Sequence, residues 1–229
     1  MLIIPNLLKR LFAGKWWARV VRYADDFVIV AATKRIIDRT IRPVVEQFLA
    51  GRGLELNPQK TGVVDLGQGF NFLGFIFRRF GKSLFVKPRK EKVQRFLRHV
   101  QEILDANKQA RLRDLVVLLN PVIRGWVNYY RFCNAKQAFS RVDHLLFWKL
   151  WRWSRRRHPH KSAEWVRGKY FGDGGSRAWR FGEKGGLKLC IAAEMPLLSF
   201  KKVHGRASPF DPRLRNYWNT RVRYTIITW

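Results

Sequence analysis

The chain has 229 residues, with 46 Lys and Arg against 16 Asp and Glu, for a formal charge of +30. That excess excludes a neutral enzyme surface, because a compact chain so charged repels itself unless a polyanion neutralises it. A hydrophobic content of 47% is ample for a core and excludes global disorder. Nucleic acid is the partner such a balance implies. No apolar run of about 18 residues occurs, so no membrane-spanning helix is expected.

Met1 to Leu8 is apolar but lacks a preceding basic region and a clear small-residue cleavage site, so it is not read as a signal peptide. Ala18 to Tyr23 and Phe27 to Ala31 are β-type runs around Tyr23-Ala24-Asp25-Asp26. Two adjacent carboxylates on such a turn repel each other. A divalent metal removes the conflict, and Mg²⁺ takes hard oxygen ligands from one or two carboxylates plus substrate phosphates. That is the arrangement of two-metal phosphoryl transfer. An acidic hairpin tip in solvent is the alternative for a bare Asp-Asp pair. Thr33 caps a helix running to about Ala50, with Ile37, Ile41, Val44, Val45 and Phe48 on one face. Pro43 should kink it or shift its register, and Gly51 and Gly53 end it.

Leu54 to Leu56 and Thr61 to Leu66 read as short strands around an Asn57-Pro58 turn. Phe70 to Arg78 and Ser83 to Val86 read as a hairpin across Arg79 to Lys82. Lys87, Arg89, Lys90, Lys92, Arg95 and Arg98 follow with few balancing acids, which points to phosphate contact. Val93 to Leu104 makes an amphipathic helix and Leu112 to Leu119 a shorter one. Asn120-Pro121 suits the start of a third. On that helix Trp126 and Tyr130 share a face, while Arg124 and Arg131 are placed to address phosphate. For Trp126 a packing role outweighs base stacking. Phe139, Val142, Leu146, Leu150 and Trp153 line a fourth helix, ended by Arg155-Arg156-Arg157-His158-Pro159.

Trp148, Trp151 and Trp153 alternate with Lys149, Arg152 and Arg155, an interleaving suited to single-stranded or irregular RNA. His158 and His160 have no Cys or acidic partner nearby in sequence, which argues against a metal there. Cys133 and Cys190 offer neither a disulfide framework nor zinc spacing, and a reducing, cytoplasmic setting fits. Lys161 to Trp229 is basic and rich in Gly and Trp, with little periodicity.

Tyr23-Ala24-Asp25-Asp26, Gly53-Leu54-Glu55-Leu56-Asn57-Pro58-Gln59-Lys60-Thr61 and Phe70-Asn71-Phe72-Leu73-Gly74-Phe75 resemble, in order and spacing, the second half of the palm of group II intron reverse transcriptases. Pro121-Val122-Ile123-Arg124-Gly125-Trp126-Val127-Asn128-Tyr129-Tyr130-Arg131 resembles the thumb, or maturase, signature of that family. Val203 to Pro212 with Asn216-Tyr217-Trp218 resembles the segment after the thumb in bacterial members. The resemblance covers about Arg19 to Tyr217.

It implies an α+β fold: a partial palm of antiparallel strands plus helix at 1–86, a helical thumb/maturase domain at 87–160, and an irregular basic C-terminal extension at 161–229. It implies RNA-directed DNA polymerase (nucleotidyltransferase) chemistry with Mg²⁺ and, for a protein of a mobile intron, binding of the intron RNA to assist splicing. Asp25 and Asp26 would hold the ions and Lys60 would lie near the leaving pyrophosphate. Tyr23 would position the primer end, and Phe72, Leu73 and Gly74 would form the primer grip. RNA-binding residues would be Lys87, Arg89, Lys90, Arg124, Trp126, Tyr130, Arg131, Arg152, Arg155 and Arg156. The partners implied are group II intron RNA, an RNA template with a DNA primer, and an N-terminal reverse-transcriptase fragment where the protein is split.

The family's third Asp, from an earlier strand, has no counterpart here, nor do the fingers, and no Cys-x-x-Cys pair marks an endonuclease domain. The expectation is therefore an incomplete two-metal site, no autonomous polymerase, and a chain truncated at both ends. A non-catalytic RNA-binding remnant and one half of a split reverse transcriptase stand as alternatives.

Overall fold

The computed structural model describes residues 18–172, 180–198 and 210–222, with backbone alone for 219–222. Met1 to Leu8 and most of Val203 to Pro212 lie outside the described residues. Two compact units are present, Met1–Leu197 and Leu198–Trp229.

In the first unit, β1 (Ala18–Tyr23) and β2 (Asp26–Ala31) form an antiparallel hairpin in which Val20 faces Ile29 and Tyr23 faces Asp26. The alternation sends Ala18, Val20, Phe27 and Ile29 to one face, where they pack on Ile41, Val45 and Leu49 of the following helix. Val21 and Tyr23 point the other way and are exposed.

The helix begins as α1 (Lys34–Ile36), where the Thr33 hydroxyl accepts from Ile36 N–H at 3.3 Å. It passes through a π turn (Ile37–Ile41) and continues as α2 (Arg42–Ala50). The register shift expected at Pro43 takes this form: Arg42 N–H reaches back five residues to the Ile37 carbonyl, so the ladder is reset beside the residue that has no N–H to give. Gly51 caps the end, and Gly53 adopts φ +66°.

Leu54 to Leu56 and Thr61 to Leu66 are not strands. They have no ladder partner among the described residues and run as coil, with the Asn57 side chain accepting from Gln59 N–H at 2.9 Å. The run from Phe70 is likewise not one strand. It divides into β3 (Phe70–Phe72) and β4 (Phe75–Phe80) at a two-residue turn, and β4 pairs with β5 (Ser83–Pro88).

Among its described residues, four α-helices follow, α3 (Lys90–Ala106), α4 (Leu112–Tyr130), α5 (Lys136–Arg157) and α6 (Ala163–Tyr170), and then a 3₁₀ turn (Ala192–Glu194). Leu115, Leu119, Ile123, Leu146 and Leu150 are wholly buried between them. Each contributes about 1.5–3 kcal/mol relative to exposure.

Asn120-Pro121 does not start a helix. α4 runs straight through it, with Pro121 exposed, so the Val117 carbonyl loses its helical donor where water can replace it. Asn120 is buried and serves a distant segment: its side chain donates to the Lys188 carbonyl at 3.1 Å and accepts from Cys190 N–H at 2.7 Å. Buried Asp143 accepts from the N–H groups of Ala192 (2.8 Å) and Ala193 (2.7 Å). Val166, Tyr170, Phe171, Phe181, Leu189 and Ala192 join the same core, so packing extends well past α5 into sequence with little periodicity. The second unit shows a 3₁₀ turn (Pro212–Leu214) leading into α7 (Arg215–Val222). The architecture is α+β, with small antiparallel sheets and a helical body.

Candidate functional site

Two unusual turns define the site. The first is Ala24-Asp25, joining β1 to β2, where Ala24 takes φ +52°. A positive φ at the first central residue suits the right-handed twist of a hairpin, though glycine is the usual occupant. Arg22 Nε donates to the Ala24 carbonyl at 2.7 Å and braces the turn. Both carboxylates are exposed, and neither forms an ion pair among the described residues.

The second turn is Leu73-Gly74, with φ +49° and +81°. Both central residues are left-handed, the requirement of a type I′ hairpin. Helix α4 holds it: Tyr129 Oη donates to the Leu73 carbonyl at 2.7 Å and Tyr130 Oη to the Gly74 carbonyl at 3.4 Å. Arg89 N–H also donates to the Gly74 carbonyl at 3.0 Å. Phe75 packs against both tyrosine rings, at centroid distances of 5.3 and 5.0 Å. A Cβ on Gly74 would lie 3.0 Å from Tyr130 Oη, so the close approach requires glycine.

Between these turns lies an open cleft of ≈ 800 Å³. It brings together Asp26, Lys60, Phe72, Leu73, Gly74, Arg89 and Tyr130 of the sequence-expected site residues. Gln59, Asn71, Lys92 and Tyr129 also line it, although the sequence alone does not mark them as cleft residues. Tyr129 and Lys92 belong to the thumb motif and the basic run, but only the fold aims them here.

Burial raises the Tyr129 phenol, with Tyr23 adding to the shift, so the two rings are electrostatic neighbours. Tyr130 is pushed up to about 12, mainly by burial and then by Tyr129. Both phenols therefore stay protonated and act as donors. Cys133 is pushed up to about 11 by burial, which makes it inert as a nucleophile.

Asp25 stands at the hairpin tip, and Tyr23 is 65% exposed on the strand beside it. Among the described residues, no group of three His, Cys, Asp or Glu side chains could hold a metal.

The remaining expected residues lie outside the cleft lining. Lys87 and Lys90 are exposed at the β5–α3 junction. Trp126 stacks on Phe96 at 4.8 Å, and its indole N–H is buried with no partner. Arg131 donates to the Pro196 carbonyl (3.3 Å) and to Asn128 (3.1 Å), while Arg124 hydrogen-bonds Cys190 and so opposes the upward push of burial on that thiol. Arg152 and Arg155 donate to the Trp148 (3.3 Å) and Lys161 (2.6 Å) carbonyls, and Arg156 lies 3.9 Å from Asp105.

The Trp–cation alternation is split by the helix. Trp153 is buried and donates to the Asn107 carbonyl at 3.1 Å, Trp151 is half-buried, and Trp148 is exposed. His158 is committed to Tyr170 Oη at 2.8 Å.

Residues 3–77 match the family model of the reverse transcriptase (RNA-dependent DNA polymerase), and residues 93–171 match that of the group II intron maturase-specific domain. Those segments, in that order, are those of a group II intron reverse transcriptase/maturase. The chain is also similar to the ribosomal operon-associated A protein of Euglena longa, at 25% identity over 138 residues. The match covers 58% of this chain and 26% of that relative, so the chain spans about a quarter of the relative's length.

Proposed function

We propose that this chain binds group II intron RNA through its basic helical part to assist splicing, and that its cleft carries part of an RNA-directed DNA polymerase active site. The observation that carries this is the cleft itself. Asp26 and Lys60, from the segment matching reverse transcriptase, face Arg89, Lys92, Tyr129 and Tyr130 beside and within the maturase-specific segment. A formal charge of +30 supports a polyanionic partner.

In this reading Lys60, Arg89 and Lys92 receive phosphate, and the Leu73-Gly74 turn lets a nucleic-acid backbone approach closely. Asp25 and Asp26 would hold Mg²⁺ jointly with those phosphates. Their exposed oxygens, without an ion pair among the described residues, suit a hard cation. When bound, the ion would stabilise charge on the transferring phosphoryl group. Lys87, Lys90, Arg124, Arg131, Arg152, Arg155 and Arg156 supply the RNA surface, although several cations also brace the chain's own carbonyls. Template and primer are the cleft's occupants, and the division into palm (1–86), thumb (87–160) and basic extension (161–229) belongs to the same reading. So does a cytoplasmic setting. No described helix is long and apolar enough to cross a membrane.

A second reading, an RNA-binding protein without catalysis or one half of a split polymerase, is favoured by the lack of a third carboxylate beside Asp25 and Asp26 among the described residues. Filter binding with group II intron RNA tests the shared core of both. Affinity is expected to fall on the order of a thousand-fold between roughly 50 and 200 mM salt, as for six or more neutralised phosphates. A flat titration overturns it. Primer extension by the same preparation is expected to be absent under both readings; extension that disappears in Asp25→Asn would show that the metal site is completed some other way.

A further inference from the structure

The ribbon of β4 and β5 has two unlike faces. On one, Phe75 pairs with Pro88 and Phe77 with Val86; on the other, Ile76 pairs with Lys87, Arg78 with Phe85 and Phe80 with Ser83. The first face turns inward: Pro88 is buried and Phe75 packs against the main core.

The distal part of the second face meets solvent, with Phe80 52% and Phe85 37% exposed. Their rings touch edge to face at 5.4 Å. The Arg78 guanidinium lies 4.7 Å from the Phe80 centroid, and its Nε is held by the Gly67 carbonyl at 2.9 Å, so this cation is fixed beside the ring. Arg79 Nε donates to the Gly81 carbonyl at 2.8 Å and stiffens the tip. From Ile76 to Pro88 the chain carries Arg78, Arg79, Lys82 and Lys87 and no acid. Among the described residues none of the four forms an ion pair. None of these residues lines the cleft.

Exposed rings among unpaired cations call for a partner with flat apolar faces and negative charge. Unpaired nucleotides have both. A duplex offers phosphates but hides its base faces, and an apolar protein patch would leave Arg78, Lys82 and Lys87 desolvated without partners.

We propose that the distal face of this ribbon, with Phe80 and Phe85 as the stacking surface and Arg78, Lys82 and Lys87 as the phosphate contacts, binds unpaired bases of RNA at a site separate from the cleft. The proposal rests on the RNA-binding reading and assigns it a further subsite.

The test uses the full 229-residue chain, an oligouridine of about 12 nucleotides and a duplex RNA of equal length. In a Phe80→Leu, Phe85→Leu variant, which keeps apolar bulk but removes the π faces, oligouridine affinity should fall on the order of ten-fold, with duplex affinity within about two-fold. Short-wave ultraviolet crosslinking of the unmodified chain to oligouridine should label the peptide spanning Phe80 and Phe85, a readout independent of how the variant folds. Unchanged oligouridine affinity in a folded variant, equal losses on both RNAs, or crosslinks confined to other peptides each overturn the ribbon site and leave the wider RNA-binding reading standing. Failure of the unmodified chain to bind any RNA overturns both.

Discussion

Tyr129 Oη donates a 2.7 Å hydrogen bond to the carbonyl of Leu73, a residue 56 positions earlier that is held at φ +49°. One phenol on α4 thereby fixes the turn that walls the cleft. Tyr129→Phe removes the donor and leaves the ring contact with Phe75. It is expected to destabilise the chain by about 0.5–1.5 kcal/mol, read as a lower urea midpoint at unchanged slope. No change in midpoint would show that the hydrogen bond has no net weight.

Gly74→Ala places a Cβ 3.0 Å from Tyr130 Oη at a backbone angle of φ +81°. The expected cost is about 1–3 kcal/mol, from the left-handed conformation plus the contact. Tyr130→Phe relieves the contact but not the backbone strain, so the double variant should be less destabilised than the sum of the singles. Strict additivity in the double-mutant cycle would show that the contact is not felt.

Alkaline stability should report on Tyr130. Its folded pKa is raised to about 12 from the ordinary value of 10, with burial the main cause. The folded state therefore holds its proton where the unfolded chain has released it. The contribution is fully present below pH 10 and disappears as pH rises toward about 12. Urea midpoints taken at about pH 9 and about pH 11 should differ less in Tyr130→Phe than in the unmodified chain.

Asp25→Asn with Asp26→Asn removes two exposed negative charges from the β1–β2 turn. Intron RNA affinity is expected to stay level or rise slightly, because phosphate repulsion falls. Replacing Arg124 and Arg131 by Ala should weaken binding and lower the salt slope by about one unit for each phosphate no longer neutralised. Circular dichroism must accompany the second variant, since both side chains also fasten the segment around Cys190 and Pro196. A dispensable Arg pair beside an essential Asp pair would reverse the assignment of RNA binding to the thumb.

Pro121→Ala restores an N–H opposite the Val117 carbonyl within a helix that already runs through this position. It should stabilise by about 1–3 kcal/mol, measured as a raised thermal midpoint. Destabilisation would mean that Pro121 contributes packing that outweighs the missing bond.

Alternation and helical spacing in the sequence determined the β1–β2 hairpin, the Thr33 cap, α3 and α5, because each follows from residues close together in the chain. The ordered motifs likewise made the reverse transcriptase and maturase segments legible. Tertiary structure alone decided what happens where local signals compete with distant partners. Asn120-Pro121 reads locally as a helix start, yet Asn120 is taken up by Lys188 and Cys190 and the helix continues. Leu54 to Leu56 reads as a strand but meets no edge to pair with among the described residues. The tail reads as irregular because its interactions, such as Ala192 on Asp143 and Phe181 against Trp153, span tens of residues and leave no periodic trace. The cleft follows the same logic. Lys60 and the Leu73-Gly74 turn announce themselves by motif, whereas Tyr129 and Lys92 enter only when α3 and α4 fold back over the turn, a non-local closure that no local pattern records.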